Sequence, residues 1–233
     1  MNIILGDGLL GSSVIGLSGW NYVSRKEHGL DINKPSTWKE CIPKGTKTII
    51  NLIANTDTYS ENIDSLFETN YRAVIRLVDY CNENEIKLVH FSTDYVYEKS
   101  KANAKETFKA VPGNAYAMSK LLADEYVMKH CNDYLVLRGA QKVDPFPYEK
   151  AFTNIVGNFD YPDVIADLVI KMVKLGATGL YNIGTETKSV YDLAVQTKPD
   201  VEPVEAPSHF PNNVTMNLDK MNKLLEEWQE ELD

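Results

Sequence analysis

A tyrosine followed four residues later by a lysine is a pair that can move protons near neutral pH. This chain holds four of them: Tyr22–Lys26, Tyr95–Lys99, Tyr97–Lys101 and Tyr116–Lys120. With 13 Tyr and 24 Lys and Arg in 233 residues, chance supplies some of these pairs, so local structure has to choose among them. Tyr22 falls in a strand-like run, where positions i and i+4 lie about 13 Å apart. Tyr95 and Tyr97 follow an apolar run in irregular sequence, with no defined relation to their lysines. Only Tyr116 opens a helical pattern, in which i and i+4 share a face. Ser92 and Thr93 end a buried-strand pattern upstream, and strand ends are where open α/β sheets hold ligands.

The chemistry this implies is proton transfer to a carbonyl. A phenol with an ordinary pKa of about 10 is a poor donor at pH 7. A nearby ammonium lowers it, and Lys120 is placed to do so while also holding a ribose. Thr93 can hydrogen-bond a substrate carbonyl, leaving Tyr116 to deliver or remove its proton as a hydride moves.

A hydride needs a carrier, and the N-terminus supplies a site for one. The apolar run "NIIL" passes directly into "GDGLLG", with Gly6, Gly8 and Gly11 at the spacing of a dinucleotide loop. The glycines allow a tight turn and close backbone approach, so a pyrophosphate can rest on free N–H groups at a helix start. Where the second strand ends, dinucleotide sites using NAD place an Asp or Glu against the ribose. Here Ser24, Arg25 and Lys26 stand there, and a cation suits the 2′-phosphate of NADP. Glu27, one step on, keeps NAD as the alternative. Asp31 and Ile32 are placed to flank an adenine, and "NLIANT" (51–56) should lie beside the cofactor.

The elements that position these residues alternate. "NIIL" (2–5), "NYVS" (21–24), "TIINLI" (48–53), "KLVHFS" (87–92) and "YLVLR" (134–138) are near-continuous apolar runs, the pattern of parallel strands buried on both faces. Helical periodicity fills 60–83 and 115–130. The fold class is therefore α/β, a Rossmann-type doubly wound parallel sheet. After Arg138 the chain is loop-rich, with Pro145, Pro147 and Pro162. A helix over 163–175, a strand "GLYNIG", a helix near 189–195, an extended linker "KPDVEPVEAPSHFPN" and a helix from Leu218 to Leu232 follow. Two regions are expected: a dinucleotide-binding core over 1–140, and a reduced substrate-binding subdomain over 141–233 interleaved with the core's last elements.

Composition narrows the partners. The net charge of −9 leaves no large basic surface for nucleic acid or anionic lipid. Apolar runs are too short to span a bilayer, and no basic leader precedes the first strand. Cys41, Cys81 and Cys131 are odd in number and far apart, so neither a disulfide framework nor a zinc site is expected. His28, His90, His130 and His209 also lack ligand spacing and read as structural or surface residues. A cytoplasmic setting follows from the free thiols.

Gly-x-Gly-x-x-Gly, Ser/Thr and Tyr-x-x-x-Lys in this order resemble the extended short-chain dehydrogenase/reductase superfamily. More narrowly the chain resembles dTDP-4-dehydrorhamnose reductases and related nucleotide-sugar 4-ketoreductases. The stretches that carry this are "LDI" (30–32), "ETNYRAVIRLVDYC" (68–81), "LVHFSTDYVY" (88–97), "NAYAMSKLLADEYV" (114–127), "GLYNIG" (179–184) and "NLDKMNKLLEEW" (217–228). The resemblance implies an NADP-dependent reductase of a nucleotide-linked 4-keto-6-deoxy sugar, with Thr93, Tyr116 and Lys120 catalytic. Cofactor contacts would come from Gly6, Gly8, Leu9, Leu10, Gly11, Ser24, Arg25, Asp31, Ile32, Leu52, Ile53, Ala54, Asn70, Ser92, Tyr116 and Lys120. Asp94, Tyr95 and Arg138 would meet the substrate, and a homodimer would be in keeping.

Related 4,6-dehydratases carry Asp-Glu after the catalytic Thr, whereas Asp94 is followed by Tyr95. GDP-fucose synthases carry an epimerising Cys where Asp94 stands. Reduction without epimerisation is the reading, with a nucleotide-sugar epimerase or a non-catalytic cofactor-binding regulatory subunit as alternatives. The segment between Arg138 and Tyr161 is shorter than the family usually has, and "GAQKVDPFPYEK" replaces its glycine and aromatic residues.

Overall fold

A computed structural model describes residues 1–208, 210 and 213–232, with backbone only for 230–232. Its centre is a six-stranded, all-parallel sheet. The strands are β1 (Asn2–Leu5), β2 (Asn21–Val23), β3 (Thr48–Asn51), β4 (Lys87–Phe91), β5 (Tyr134–Arg138) and, after two short strands, β8 (Gly179–Asn182). Their order is β2-β1-β3-β4-β5-β8. The chain winds one way from β1 to β2 and the other way from β3 onward. The crevice between the β1 and β3 ends is thus the expected ligand site.

The helices are α1 (Leu9–Ser18), α2 (Arg25–His28), α3 (Trp38–Cys41), α4 (Ile63–Phe67), α5 (Ala73–Glu83), α6 (Ala115–His130), α7 (Pro162–Lys174), α8 (Val190–Ala194) and α9 (Asp219–Leu232). Alternating strand residues feed two cores. Ile3, Leu5, Ile49, Leu88 and Val136 pack with Val74, Leu77 and Cys81 of α5 and with Ala123 and Val127 of α6. Ile4, Ile50, Val89, Leu135 and Leu137 pack with Val14 of α1, Ile165 and Val169 of α7 and Met221 of α9. Coverage on both faces explains the unbroken apolar strands. Ile4, Ile50, Val89 and Leu135 also pair in register, forming one row across the sheet.

The loop-rich region has structure that the sequence reading missed. β6 (Lys150–Phe152) pairs in parallel with β10 (Glu202–Val204), so the expected linker contains a strand. β7 (Val156–Gly157) pairs antiparallel with β9 (Lys188–Ser189). Phe146, Phe159, Tyr161, Leu193 and Val201 form a small core of their own around them. Such three- and two-residue strands carry no readable period. His209, Pro211 and Asn212 of that linker lie outside the described residues.

Element edges also moved. β2 ends at Val23, because the Ser24 hydroxyl accepts a hydrogen bond from Glu27 N and caps α2. β3 ends at Asn51, and the helix expected over 60–83 begins at Ile63 and passes through a π-turn at 68–72. By contrast β5 and α6 match their expected bounds. Asn114 caps α6 by accepting from Ala117 N, which places Tyr116 in its first turn.

One buried polar network ties the sheet to α6. Arg138, 1% exposed, donates from Nε to Asp124 (2.9 Å) and from Nη1 to the Tyr97 hydroxyl (2.8 Å). Tyr97 in turn donates to Asn182 of β8. This corrects the assignment of Arg138 to substrate: its guanidinium is spent inside the core. Removing one member of such a pair strands the other charge. Arg138→Met should therefore cost about 3–5 kcal/mol of unfolding free energy, measured by denaturant titration.

Candidate active site

The ends of β1, β3, β4 and β5 converge on a cleft of about 400 Å³. Gly8, Leu9 and Leu10 form one wall, and Leu52 and Ala54 the next. Ser92 to Tyr95 follow β4, Tyr116 and Lys120 come from α6, and Gly139 to Lys142 follow β5.

The glycine loop is built for close approach. Gly6 has φ +100°, and a Cβ on Gly11 would lie 2.3 Å from the Gly6 carbonyl oxygen. No side chain other than glycine fits at Gly11. Gly8 caps α1 without a side-chain hydrogen bond, so the first-turn N–H groups are available to an anion. Outside the same turn, Asp7, Asp144 and Asp163 surround a more open depression. Their charges leave the inner side, toward Leu52 and Thr93, as the side suited to an anion.

At the end of β2, Arg25 is 80% exposed at its side chain and lies 3.7 Å from Asp31; Lys34 lies 3.9 Å from the same carboxylate. Ser24 is buried as the cap of α2, and Ile32 is buried in the first core. Asn70 sits beneath the cleft rather than in it. Its amide accepts from Asn55 N and donates to Asn55 O and Ser119 Oγ, joining the loop after β3 to α6. Ile53 is half-buried against the first core and does not line the cleft.

Thr93 is a junction. Its hydroxyl donates to Asp94 Oδ1 (3.2 Å) and accepts from Tyr95 N (3.2 Å). Asp94 is 2% exposed, and burial raises its pKa while Lys142 and Thr93 oppose that rise. Tyr95 stands edge-on to Tyr116, ring centroids 6.5 Å apart. Burial pushes the Tyr116 phenol up to about 12, against a hydrogen bond to Thr93 that lowers it.

The Lys120 ammonium is held against the sheet. Nζ donates to the Phe91 carbonyl (2.7 Å) and lies 3.4 Å from His90 Nε2. Burial lowers Lys120 to about 8, with Asp124 opposing. The phenol is raised rather than lowered, because desolvation, helped by Asp94 and Asp124, outweighs the influence of Thr93. His90 is fully buried between Asn51 and Lys120, and burial followed by the Lys120 charge keeps it neutral. Sequence reasoning passed over His90, Asp124 and Lys142. The i, i+4, i+8 spacing of Tyr116, Lys120 and Asp124 could have revealed the second. Lys142, in irregular chain, had no such signal. Among the described residues no cluster of His, Cys, Asp or Glu could hold a metal.

One end of this cleft suits a dinucleotide and the other a carbonyl compound, the arrangement of the short-chain dehydrogenase/reductase class. Within it the chain belongs to the family described as the RmlD substrate binding domain, whose model matches residues 2–152. The fold is shared with a hypothetical dTDP-4-dehydrorhamnose reductase of Sulfolobus tokodaii: TM-score 0.81, 22% identity, covering 96% of this chain and 94% of that one. A dTDP-4-dehydrorhamnose reductase of Clostridium acetobutylicum gives 0.80 at 21% identity, over 100% and 99%. That of Bacillus anthracis, solved in complex with NADP, gives 0.78 at 19% identity, over 99% and 98%. No helix among the described residues is long and apolar enough to cross a membrane.

The lowered Lys120 has a thermodynamic signature. Below pH about 8 it is charged folded and unfolded, and the full cost of burying that charge is present. Between about 8 and its ordinary 10.5 the unfolded chain binds the extra proton, so that cost fades as pH rises. Stability of the wild type relative to Lys120→Met should thus increase by on the order of 3 kcal/mol from pH 7 to 10.5. Denaturation of both proteins across that range measures it.

Proposed function

We propose that this chain is an NADP-dependent reductase of a nucleotide-linked 4-keto-6-deoxy sugar, with Tyr116 as proton donor. The observation that carries it is the meeting of Thr93, Tyr116 and Lys120 in the cleft that the glycine loop opens into. NADPH, when bound, would supply the hydride. Gly8 to Leu10 would hold its pyrophosphate, and Arg25 and Lys34 would face the 2′-phosphate. Leu52 and Ala54 would border the dinucleotide on the β3 side.

The chain's own residues account for the proton. A phenol raised to about 12 carries its proton throughout the neutral range but gives it up reluctantly. The Lys120 ammonium four residues on would stabilise the phenolate as the proton leaves. Thr93 lines the cleft beside that phenol, and a substrate carbonyl entering there would meet both hydroxyls. Asp94 competes for the Thr93 proton. Phe91, Leu9, Leu10 and Leu52 line the cleft and limit water around the reacting groups.

Tyr116→Phe should lower turnover by roughly 10²–10⁴ and leave NADPH affinity nearly unchanged. The assay is loss of the reduced-nicotinamide absorbance with dTDP- and UDP-linked 4-keto-6-deoxy sugars. Equal rates for Tyr116→Phe and wild type across these substrates would favour a non-catalytic, cofactor-binding subunit instead. NADPH should bind about ten- to a hundredfold tighter than NADH, and Arg25→Gln should remove most of that preference. Fluorescence titration of both cofactors against both proteins decides it.

A further inference from the structure

The cleft contains a cation that proton and hydride transfer leave without a task. Lys142 lies in the stretch "GAQKVDPFPYEK" after β5. It lines the cleft with Thr93, Asp94, Tyr95 and Tyr116. Its backbone is fixed, since Lys142 N donates to the Asp160 carbonyl (2.9 Å) and Gln141 bridges to Asp160. Its ammonium stands 4.8 Å from the centre of the Phe159 ring. Among the described residues it has no hydrogen-bond acceptor, and no carboxylate lies within the 4.0 Å of an ion pair.

A partly buried ammonium with a ring face but no hydrogen-bond acceptor beside it carries a desolvation cost that an arriving anion would relieve. Burial lowers the Lys142 pKa, and Asp94 is the charge that opposes it. Asp94 is itself engaged by the Thr93 hydroxyl. The cofactor's phosphates are poorly placed to be the missing anion. The loop after β5 is separated from that after β1 by three strand spacings, about 14 Å across the sheet. Lys142 stands instead where the sheet meets the small subdomain, on the side away from the glycine loop.

We propose that Lys142 is the anion anchor of the substrate half of this cleft, taking a phosphoryl oxygen of a nucleotide-linked 6-deoxy sugar or, in a sugar that is not 6-deoxy, a carboxylate. This rests on the reductase reading insofar as the substrate occupies the cleft. Lys142 would then fix which end of the sugar faces Tyr116, and so act as a specificity-determining residue.

The test is calorimetric and needs no turnover. Protein saturated with NADP⁺, so that the dinucleotide's anion sites are filled, is titrated with dTDP for the phosphoryl arm and with glucuronate for the carboxylate arm. At least one should bind the wild type, and Lys142→Met and Lys142→Gln should weaken it about ten- to a hundredfold. Lys142→Arg should retain most of the affinity, and melting temperatures should show all three variants folded. If Lys142 merely balanced Asp94, its removal would shift the melting temperature and leave dTDP and glucuronate affinities alike. That result overturns the proposal, as does failure of both ligands to bind the wild type. The NADPH-oxidation assay is read separately: reduction without anchored binding sinks Lys142 alone, and anchored binding without reduction sinks the reductase reading alone.

Discussion

Asp124, a carboxylate with no solvent exposure, sets the terms for the site above it. Burying a charge costs several kcal/mol unless partners meet it. Its partners come from different elements: Arg138 at the end of β5 and Ser92 just after β4, both donating to Oδ2. Helix α6 therefore docks where β4 and β5 present those groups together. Tyr116, Lys120 and Asp124 follow at four-residue steps, so they share one face of α6. Fixing the third aims the other two at the cleft. The face of α6 that lines the cleft is held by a carboxylate buried beneath it.

The burial that fixes these groups also tunes them. Away from the protein a lysine is the weaker acid of the two, 10.5 against 10.0 for tyrosine. Here the order is inverted, with Lys120 near 8 and Tyr116 near 12. Desolvation penalises whichever form is charged, so it raises a phenol and lowers an ammonium together. A phenol kept protonated is also a weaker acid, so giving up its proton requires a charge or hydrogen-bond donor that meets the phenolate as it forms.

Much of this was readable from residue order. Unbroken apolar runs marked β1, β3, β4 and β5, because both faces of a parallel sheet are covered. Helical periodicity marked α6 over 115–130, and the Tyr116–Lys120 pair was separated from three look-alikes by asking which tyrosine begins a helix. The strands β6, β7, β9 and β10 were not readable. At two or three residues they have no period, and they exist because the small core around Phe159 and Tyr161 closes over them. Arg138 was misread for a related reason: a strand-end arginine can point to a ligand or into a core, and only the position of Asp124 decides.

The sequence by itself determined the sheet, the glycine turn and the helix that bears Tyr116. These depend on local periodicity, on the conformational freedom of glycine and on capping, all encoded within a few neighbouring residues. The tertiary structure alone decided which charges are buried and against what. It took Arg138 out of the site, turned Lys120 toward Phe91 and His90, and brought Lys142 in beside Asp94. Desolvation depends on everything packed around a group, and residues 94 and 142 become neighbours only when the loops after β4 and β5 meet over the finished sheet.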